Sequence, residues 1–78
     1  MSLRPGIYRH YKGNEYHVIA VARHSETGEE HVVYRALYGE RGLWVRPLAM
    51  FTEMIEREGR PLLRFEFIRC ATPEQAET

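Results

Sequence analysis

Cysteine is nearly absent from this chain of 78 residues, which contains only Cys70. A single thiol excludes an internal disulfide framework and a cysteine-rich zinc site. No stretch approaches the roughly 20 apolar residues of a membrane helix. After Arg4 and Pro5, no apolar segment follows that is typical of a signal peptide. We therefore expect a reduced, cytoplasmic compartment and no association with a membrane.

An excess of one charge is also lacking, because eleven Lys and Arg residues balance eleven Asp and Glu residues. Zero net charge gives no sign of a protein that binds polyanions through its overall field. Lysine is scarce, since ten of the eleven bases are Arg. The planar guanidinium suits bidentate recognition of carboxylate or phosphate, but genome composition alone produces the same bias.

Apolar residues make up 44% of the chain and aromatic residues 12%, which is ample for a folded core. A chain this short buries a smaller fraction of its surface than a larger one, so we expect a thin margin of stability. Residues 1–70 are predicted to form a single domain. From Thr72 onward Ala76 is the only apolar residue, which predicts a disordered tail over residues 71–78.

Short runs of alternating or β-branched side chains, separated by turn residues, predict two hairpins. In the first, strands over Ile7–Tyr11 and Tyr16–Arg23 are joined by a turn at residues 12–14, where Gly and Asn accept a positive φ. In the second, a strand over Glu30–Tyr38, rich in β-branched and aromatic residues, is followed by a short strand over Leu43–Arg46.

The segment after Pro47, which cannot donate to a strand ladder, changes to a helical period. One to two turns of helix are predicted within Leu48–Glu58, closed by Gly59 as a C-cap. The apolar positions of this segment are Leu48, Phe51, Met54 and Ile55. A final strand over Leu62–Arg69 is predicted to place three apolar residues on one face: Leu63, Phe65 and Phe67.

Five short strands, with one short helix before the last strand, predict a mostly β fold. We expect a small five-stranded SH3-like barrel or a rolled antiparallel sheet, because closure removes exposed edges that a small domain tolerates poorly. Both faces of the third strand are largely apolar, with Val33 and Leu37 opposite Val32, Tyr34, Ala36 and Tyr38. Such a strand predicts a ligand groove or a dimer interface.

Four histidines recur every seven residues: His10, His17, His24 and His31. On the strand prediction they lie in different strands and loops, so we expect half-exposed residues with ordinary hydrogen bonds. A metal site formed by three of them is an alternative, but no closely spaced ligand pair supports it. No metal or cofactor is predicted.

The loop His24–Thr27 holds a potential base, two hydroxyls and a carboxylate. A nucleophile and its base normally come from separate segments, and these residue types also satisfy the backbone of a turn. We therefore assign this loop to the rim of a ligand site, and no residue to catalysis.

Aromatic residues alternate with Arg residues along the strands, a pattern typical of surfaces that stack bases or a modified side chain. A small barrel also fills its interior with such rings. The candidate ligand-binding residues are Tyr8, His10, His24, Ser25, Glu26, Thr27, Tyr34, Arg35, Trp44 and Arg46.

Several motifs in one order resemble the small bacterial family catalogued as domain of unknown function 1653. They are Arg4–Gly13, Ala22–Thr27, Val32–Arg35, Leu43–Pro47, Met50–Phe51 and Arg64–Phe65. The resemblance extends from about Arg4 to Ile68. It implies that the motifs centred on His10, His24 and Trp44 are family signatures, and it carries no activity.

Three functions stay open on the sequence. The first is a binding module for a small molecule, a peptide or single-stranded nucleic acid. The second is a small hydrolase or metal-dependent enzyme that uses His10 or His24 with Glu26. The third is a structural homodimer or protein-interaction domain that buries the strand Val32–Tyr38.

Overall fold

Strands dominate the fold, and most of them pair with a neighbour in sequence. The computed structural model describes residues 3–72, with the elements β1 Gly6–His10, β2 Glu15–Arg23, β3 Glu30–Ala36, β4 Leu43–Pro47, α1 Leu48–Phe51, β5 Met54–Arg57, β6 Arg60–Leu63 and β7 Phe65–Arg69. Five strands form one antiparallel sheet in the order β4–β3–β2–β1–β7, and β5 pairs separately with β6. From residue 73 on, the predicted tail lies outside the described residues.

Both predicted hairpins are confirmed, since β1 pairs with β2 and β3 pairs with β4. β3 ends at Ala36, two residues before its predicted end. Positive φ angles at Gly39 and Arg41 turn the chain there. Pro47 lies in the edge strand β4, where a missing N–H is tolerated.

The helix predicted within Leu48–Glu58 is wrong beyond its first turn. α1 ends at once, and the N–H and hydroxyl of Thr52 both donate to the carbonyl oxygen of Leu48. Glu58 and Gly59 then take positive φ angles of 52° and 76°, as the central residues of a tight hairpin turn do. Residue 59 therefore joins β5 to β6 instead of capping a helix. The described part of the chain contains no helix with the length and apolar character to cross a membrane.

The predicted last strand, Leu62–Arg69, is interrupted at Arg64. The N–H of Arg64 donates to the carbonyl of Glu53 over 3.1 Å, and its own carbonyl accepts from the N–H of Tyr11 over 3.0 Å. These bonds separate β6 from β7. Leu63 therefore lies in a different strand from Phe65 and Phe67, and it is 43% exposed.

The inner face of the main sheet packs against α1. The buried core consists of Tyr8, Val18, Val32, Tyr34, Leu48, Phe51 and Phe65. Phe51 stacks on Phe65, with ring centroids 4.1 Å apart and planes 5° from parallel. Tyr34 of β3 lies 5.5 Å from Phe51 and 6.1 Å from Phe65 of β7, measured between ring centroids. Because β2 and β1 separate β3 from β7, these contacts require a sheet that curls around α1.

The curled sheet is open at its edges. Within residues 3–72, β4 and β7 do not pair with each other, so the closure expected of an SH3-like barrel is not observed. The fold is a rolled antiparallel sheet with a separate hairpin. A side chain of β4 reaches across the gap, since the guanidinium carbon of Arg46 lies 5.6 Å from the ring centroid of Phe65. A register shift in β2 between Val18 and Ala20 adds to the bend.

Gly6 allows β1 and β7 to approach each other closely. Its φ is +146°, and a Cβ at this position would lie 2.6 Å from Cε1 of Phe67 and 2.8 Å from the carbonyl oxygen of Arg69. A larger residue would therefore combine a strained backbone with a displacement of β7.

We expect Phe51→Ala to lower the free energy of unfolding by about 3–5 kcal/mol, because it removes a buried ring and leaves a cavity. Met50→Ala, in the same helical turn, removes a side chain that is 48% exposed and should cost about 0.5 kcal/mol or less. Urea denaturation followed by circular dichroism measures both. Equal losses would show that the ring stack does not hold the sheet on α1.

Candidate ligand-binding site

Tyr8, a predicted ligand residue, belongs to the core. Its side chain is 5% exposed, and its ring packs edge-on against Phe51 and Phe67. Its hydroxyl donates to the carbonyl of Arg4 over 2.7 Å. Burial raises the pKa of Tyr8 above the usual value. The Tyr8 ring therefore belongs to the packing beneath the candidate site.

The predicted rim loop, His24–Thr27, is an exposed turn that satisfies its own backbone. Nδ1 of His24 accepts from the N–H of Glu26 over 3.1 Å and from the N–H of Thr27 over 3.3 Å. Oγ1 of Thr27 accepts from the N–H of Glu29 over 3.1 Å, and Ser25 is exposed. None of these contacts joins a nucleophile to a base.

His10 and His24 lie near opposite ends of the sheet. Arg9 of β1 pairs with Glu15, which begins β2, whereas His24 follows the last residue of β2. The nine residues of β2 span on the order of 25 Å. His10 is therefore not brought together with His24 and Glu26. Among residues 3–72, no three His, Cys, Asp or Glu side chains are placed to hold a metal ion.

Two predicted residues, Trp44 and Arg46, stand side by side on the inner face of β4. Trp44 pairs with Tyr34 and is 60% exposed. Arg46 is half-buried, and its Nε donates to the hydroxyl of Tyr34 over 3.4 Å. In the described residues this guanidinium has no carboxylate partner; its other contact is the ring of Phe65.

Arg35 faces away from this pair. It directly follows Tyr34 on β3, and because successive side chains of a strand point to opposite faces, it lies on the outer face of the sheet. Nη1 of Arg35 donates to the carbonyl of Arg41 over 2.7 Å. This contact secures the β3–β4 turn, and the structure does not bring Arg35 together with Trp44 and Arg46.

Two tyrosines that the sequence prediction did not select adjoin the site. The hydroxyls of Tyr16 and Tyr38 are 2.8 Å apart, and the ring of Tyr16 packs edge-on against Tyr34 and Phe65. Burial, together with the hydrogen bond to Tyr38, raises the pKa of Tyr16 to about 12. The pairing of β2 with β3 sets Tyr16 opposite Ala36, close to Tyr38. This register is the signal from which Tyr16 could have been identified as a neighbour of the site.

His10 contacts Phe65, the ring that Arg46 also approaches. Its ring centroid is 4.9 Å from that of Phe65, and its Nδ1 accepts from the N–H of Lys12 over 3.1 Å. Burial lowers the pKa of His10, and the positive charges of Arg64, Lys12 and Arg46 lower it further. The inner face thus carries an imidazole whose protonation a locally positive field opposes.

A groove runs from His10 between β1 and the β5–β6 hairpin. It encloses about 470 Å³ and is lined by Arg9, His10, Tyr11, Met54, Leu62, Leu63 and Glu66. That volume falls within the range of small-ligand sites, roughly 300–1,000 Å³. On the far side of Tyr11, the charged groups of Lys12 and Arg57 lie 5.9 and 5.7 Å from its ring centroid.

Residues 6–67 match the model of a family described as a protein of unknown function, DUF1653. The chain is a member of the DUF1653 family. The resemblance seen in the sequence motifs is thereby confirmed. No curated protein matches the chain.

A crystal structure of a DUF1653 protein from Bordetella bronchiseptica is similar to this chain throughout. The two are 40% identical, with 91% of this chain and 94% of the other covered, and the TM-score is 0.81. That DUF1653 protein therefore shares the fold of this chain. The function has to be argued from the site.

The raised pKa of Tyr16 predicts a pH dependence of stability. The fold favours the neutral phenol, so this contribution is complete below about pH 10 and is lost as pH rises from 10.0 to about 12. Tyr16→Phe should flatten that loss, measured as the free energy of unfolding against pH. Tyr38→Phe removes the hydrogen bond but keeps the burial, and should reduce the loss only in part. An unchanged profile in Tyr16→Phe would contradict the assignment.

Proposed function

We propose that this DUF1653 protein is a binding module for a planar ligand that carries an anionic group, and that single-stranded nucleic acid supplies such a ligand. Trp44 stacks the planar part and Arg46 binds the anion. The observation that carries the proposal is the half-buried guanidinium of Arg46, which lacks a carboxylate partner in the described residues and adjoins an exposed indole.

A partly buried charge is costly unless it is paired or well hydrogen-bonded. The hydroxyl of Tyr34 and the ring of Phe65 hold one side of the Arg46 guanidinium. Within residues 3–72, its two Nη atoms donate to no acceptor. A planar fork of this kind binds phosphate or carboxylate through two parallel hydrogen bonds, so an anionic ligand supplies the missing partner.

The indole of Trp44 offers a stacking platform beside this charge. It is 60% exposed although it lies on the inner face. Stacking of a base on an aromatic side chain contributes about 1–3 kcal/mol and tolerates any base. Tyr38, which is 47% exposed, extends the aromatic surface at the same end of the sheet.

The local field favours an anion although the whole chain is neutral. Arg46, Arg64 and Lys12 all act on His10. Arg64 is paired with Glu53 over 3.0 Å, so Arg46 and Lys12 supply most of the uncompensated charge. Zero net charge argues against tight non-specific phosphate binding. It agrees with the binding of an anion at one locally positive site.

We expect the protein to bind a short fluorescent single-stranded RNA at low salt, measured by anisotropy. Trp44→Ala should weaken binding roughly 5- to 150-fold, from the stacking contribution, and Arg46→Ala should weaken it at least tenfold. Arg46→Lys keeps the charge but loses the planar fork of donors, so its affinity should lie between that of Arg46→Ala and that of the unaltered protein. Met50→Ala and Arg60→Ala, both exposed and outside the site, are the matched controls.

The proposal fails if no single-stranded oligonucleotide is retained at low salt. It also fails if folded Trp44→Ala and Arg46→Ala bind as the unaltered protein does.

His10 reports on the same site without a label. Its pKa, followed by NMR, should lie below the ordinary histidine value of 6.5, so its contribution to stability is present at neutral pH and is lost as pH falls through that lowered pKa. An RNA phosphate at Arg46 should raise the pKa of His10 by offsetting positive charge. Arg46→Ala should raise it without RNA and abolish the further response. If the pKa of His10 changes neither on addition of RNA nor in Arg46→Ala, the anion site proposed here is wrong.

A further inference from the structure

The edge strand β4 exposes three uncharged residues in a row. Leu43, Trp44 and Val45 are consecutive and are 56%, 60% and 63% exposed. Folded proteins usually guard sheet edges with charged side chains. The opposite edge, β7, follows that rule with the exposed residues Glu66 and Arg69, whereas these three consecutive positions of β4 carry no charge.

The backbone of β4 also has free hydrogen-bonding groups. The N–H of Ala36 donates to the carbonyl of Gly42 over 3.1 Å, and antiparallel pairs exchange such bonds at every second residue. The backbone groups of Trp44 and Arg46 therefore bond to β3. The N–H and carbonyl groups of Leu43 and Val45 point away from the sheet. Pro47 is the next residue with this orientation, and it has no N–H that could stay unpaired.

We propose that two copies of this chain pair antiparallel through β4, about a two-fold axis at Val45. This register sets Val45 opposite the second copy's Val45, Trp44 opposite its Arg46, and Leu43 opposite its Pro47. Such an interface is isologous, so each contact occurs twice. Two N–H···O bonds join the Val45 residues at the two-fold axis.

The side chains of β4 match one another in this register. On the outer face, Leu43, Val45 and Pro47 form one apolar cluster across the two-fold axis. On the inner face, each Trp44 indole lies opposite the aliphatic stem of the second copy's Arg46, whose guanidinium stays at Tyr34 and Phe65. A shift by one residue would place outer-face side chains opposite inner-face ones. This self-complementarity is the reason to assign the edge to a second copy of the chain.

The dimer deepens the proposed function and, in this respect, rests on it. A two-fold axis perpendicular to the sheet leaves both inner faces on the same side. Two Trp44 indoles and two Arg46 guanidiniums then form one continuous surface, which accepts two successive nucleotides instead of one. The second copy thereby completes each site.

The experiment is sedimentation of the full chain across the micromolar range, since an interface of this small area is expected to be weak. The unaltered protein should pass from monomer to dimer. Val45→Lys, which opposes two like charges at the axis, and Val45→Pro, which removes an outward N–H, should each weaken self-association more than tenfold. Val45→Thr keeps the β-branched shape and the N–H and should still dimerise. Circular dichroism confirms that each variant is folded.

A protein that stays monomeric throughout that range overturns the dimer, as do folded Val45→Lys and Val45→Pro proteins that dimerise normally. Self-association and RNA binding, measured separately, distinguish the two proposals. If the unaltered protein is monomeric but its RNA binding depends on Trp44, the dimer is wrong and the proposed function stands. If self-association responds to Val45 but no RNA binds, the dimer stands and the proposed function is wrong.

Discussion

The stack of Phe51 on Phe65 is the contact on which the rest of the structure depends. It joins α1 to the edge strand β7 with nearly parallel rings 4.1 Å apart, and Tyr34 of β3 packs against both rings. These contacts curl a five-stranded sheet around a single helical turn. In a domain with so small a core, one pair of large rings has to supply much of the buried apolar surface.

The curl also creates the candidate site. Arg46 belongs to one edge of the sheet and Phe65 to the other, yet the guanidinium carbon lies 5.6 Å from the ring centroid. On a flat sheet the three intervening strands would separate them by well over 10 Å. Curvature without closure thus brings a cation over an aromatic core and leaves the neighbouring indole of Trp44 open to solvent. Core packing and the proposed ligand site therefore share the same side chains.

The proposed dimer extends this argument from the site to the edge. A closed barrel would have no free strand, whereas the rolled sheet leaves β4 with unpaired backbone groups at Leu43 and Val45. The strand β3, whose two apolar faces suggested a dimer interface, is paired on both sides within the chain. Its residues Val32, Tyr34 and Ala36 are buried in the core, so the self-pairing surface lies one strand further out.

By itself, the sequence determined the two hairpins and the mostly β class. Alternation and turn residues express local backbone preferences, which neighbouring residues settle among themselves. Only the tertiary structure decided that residues 54–63 form a hairpin, because their apolar spacing fits a helix as well as a strand. It also decided that Tyr16 adjoins Tyr38, and that Arg46 has no carboxylate near it in the described residues. Such contacts depend on how distant strands curl together, and no local pattern encodes that geometry.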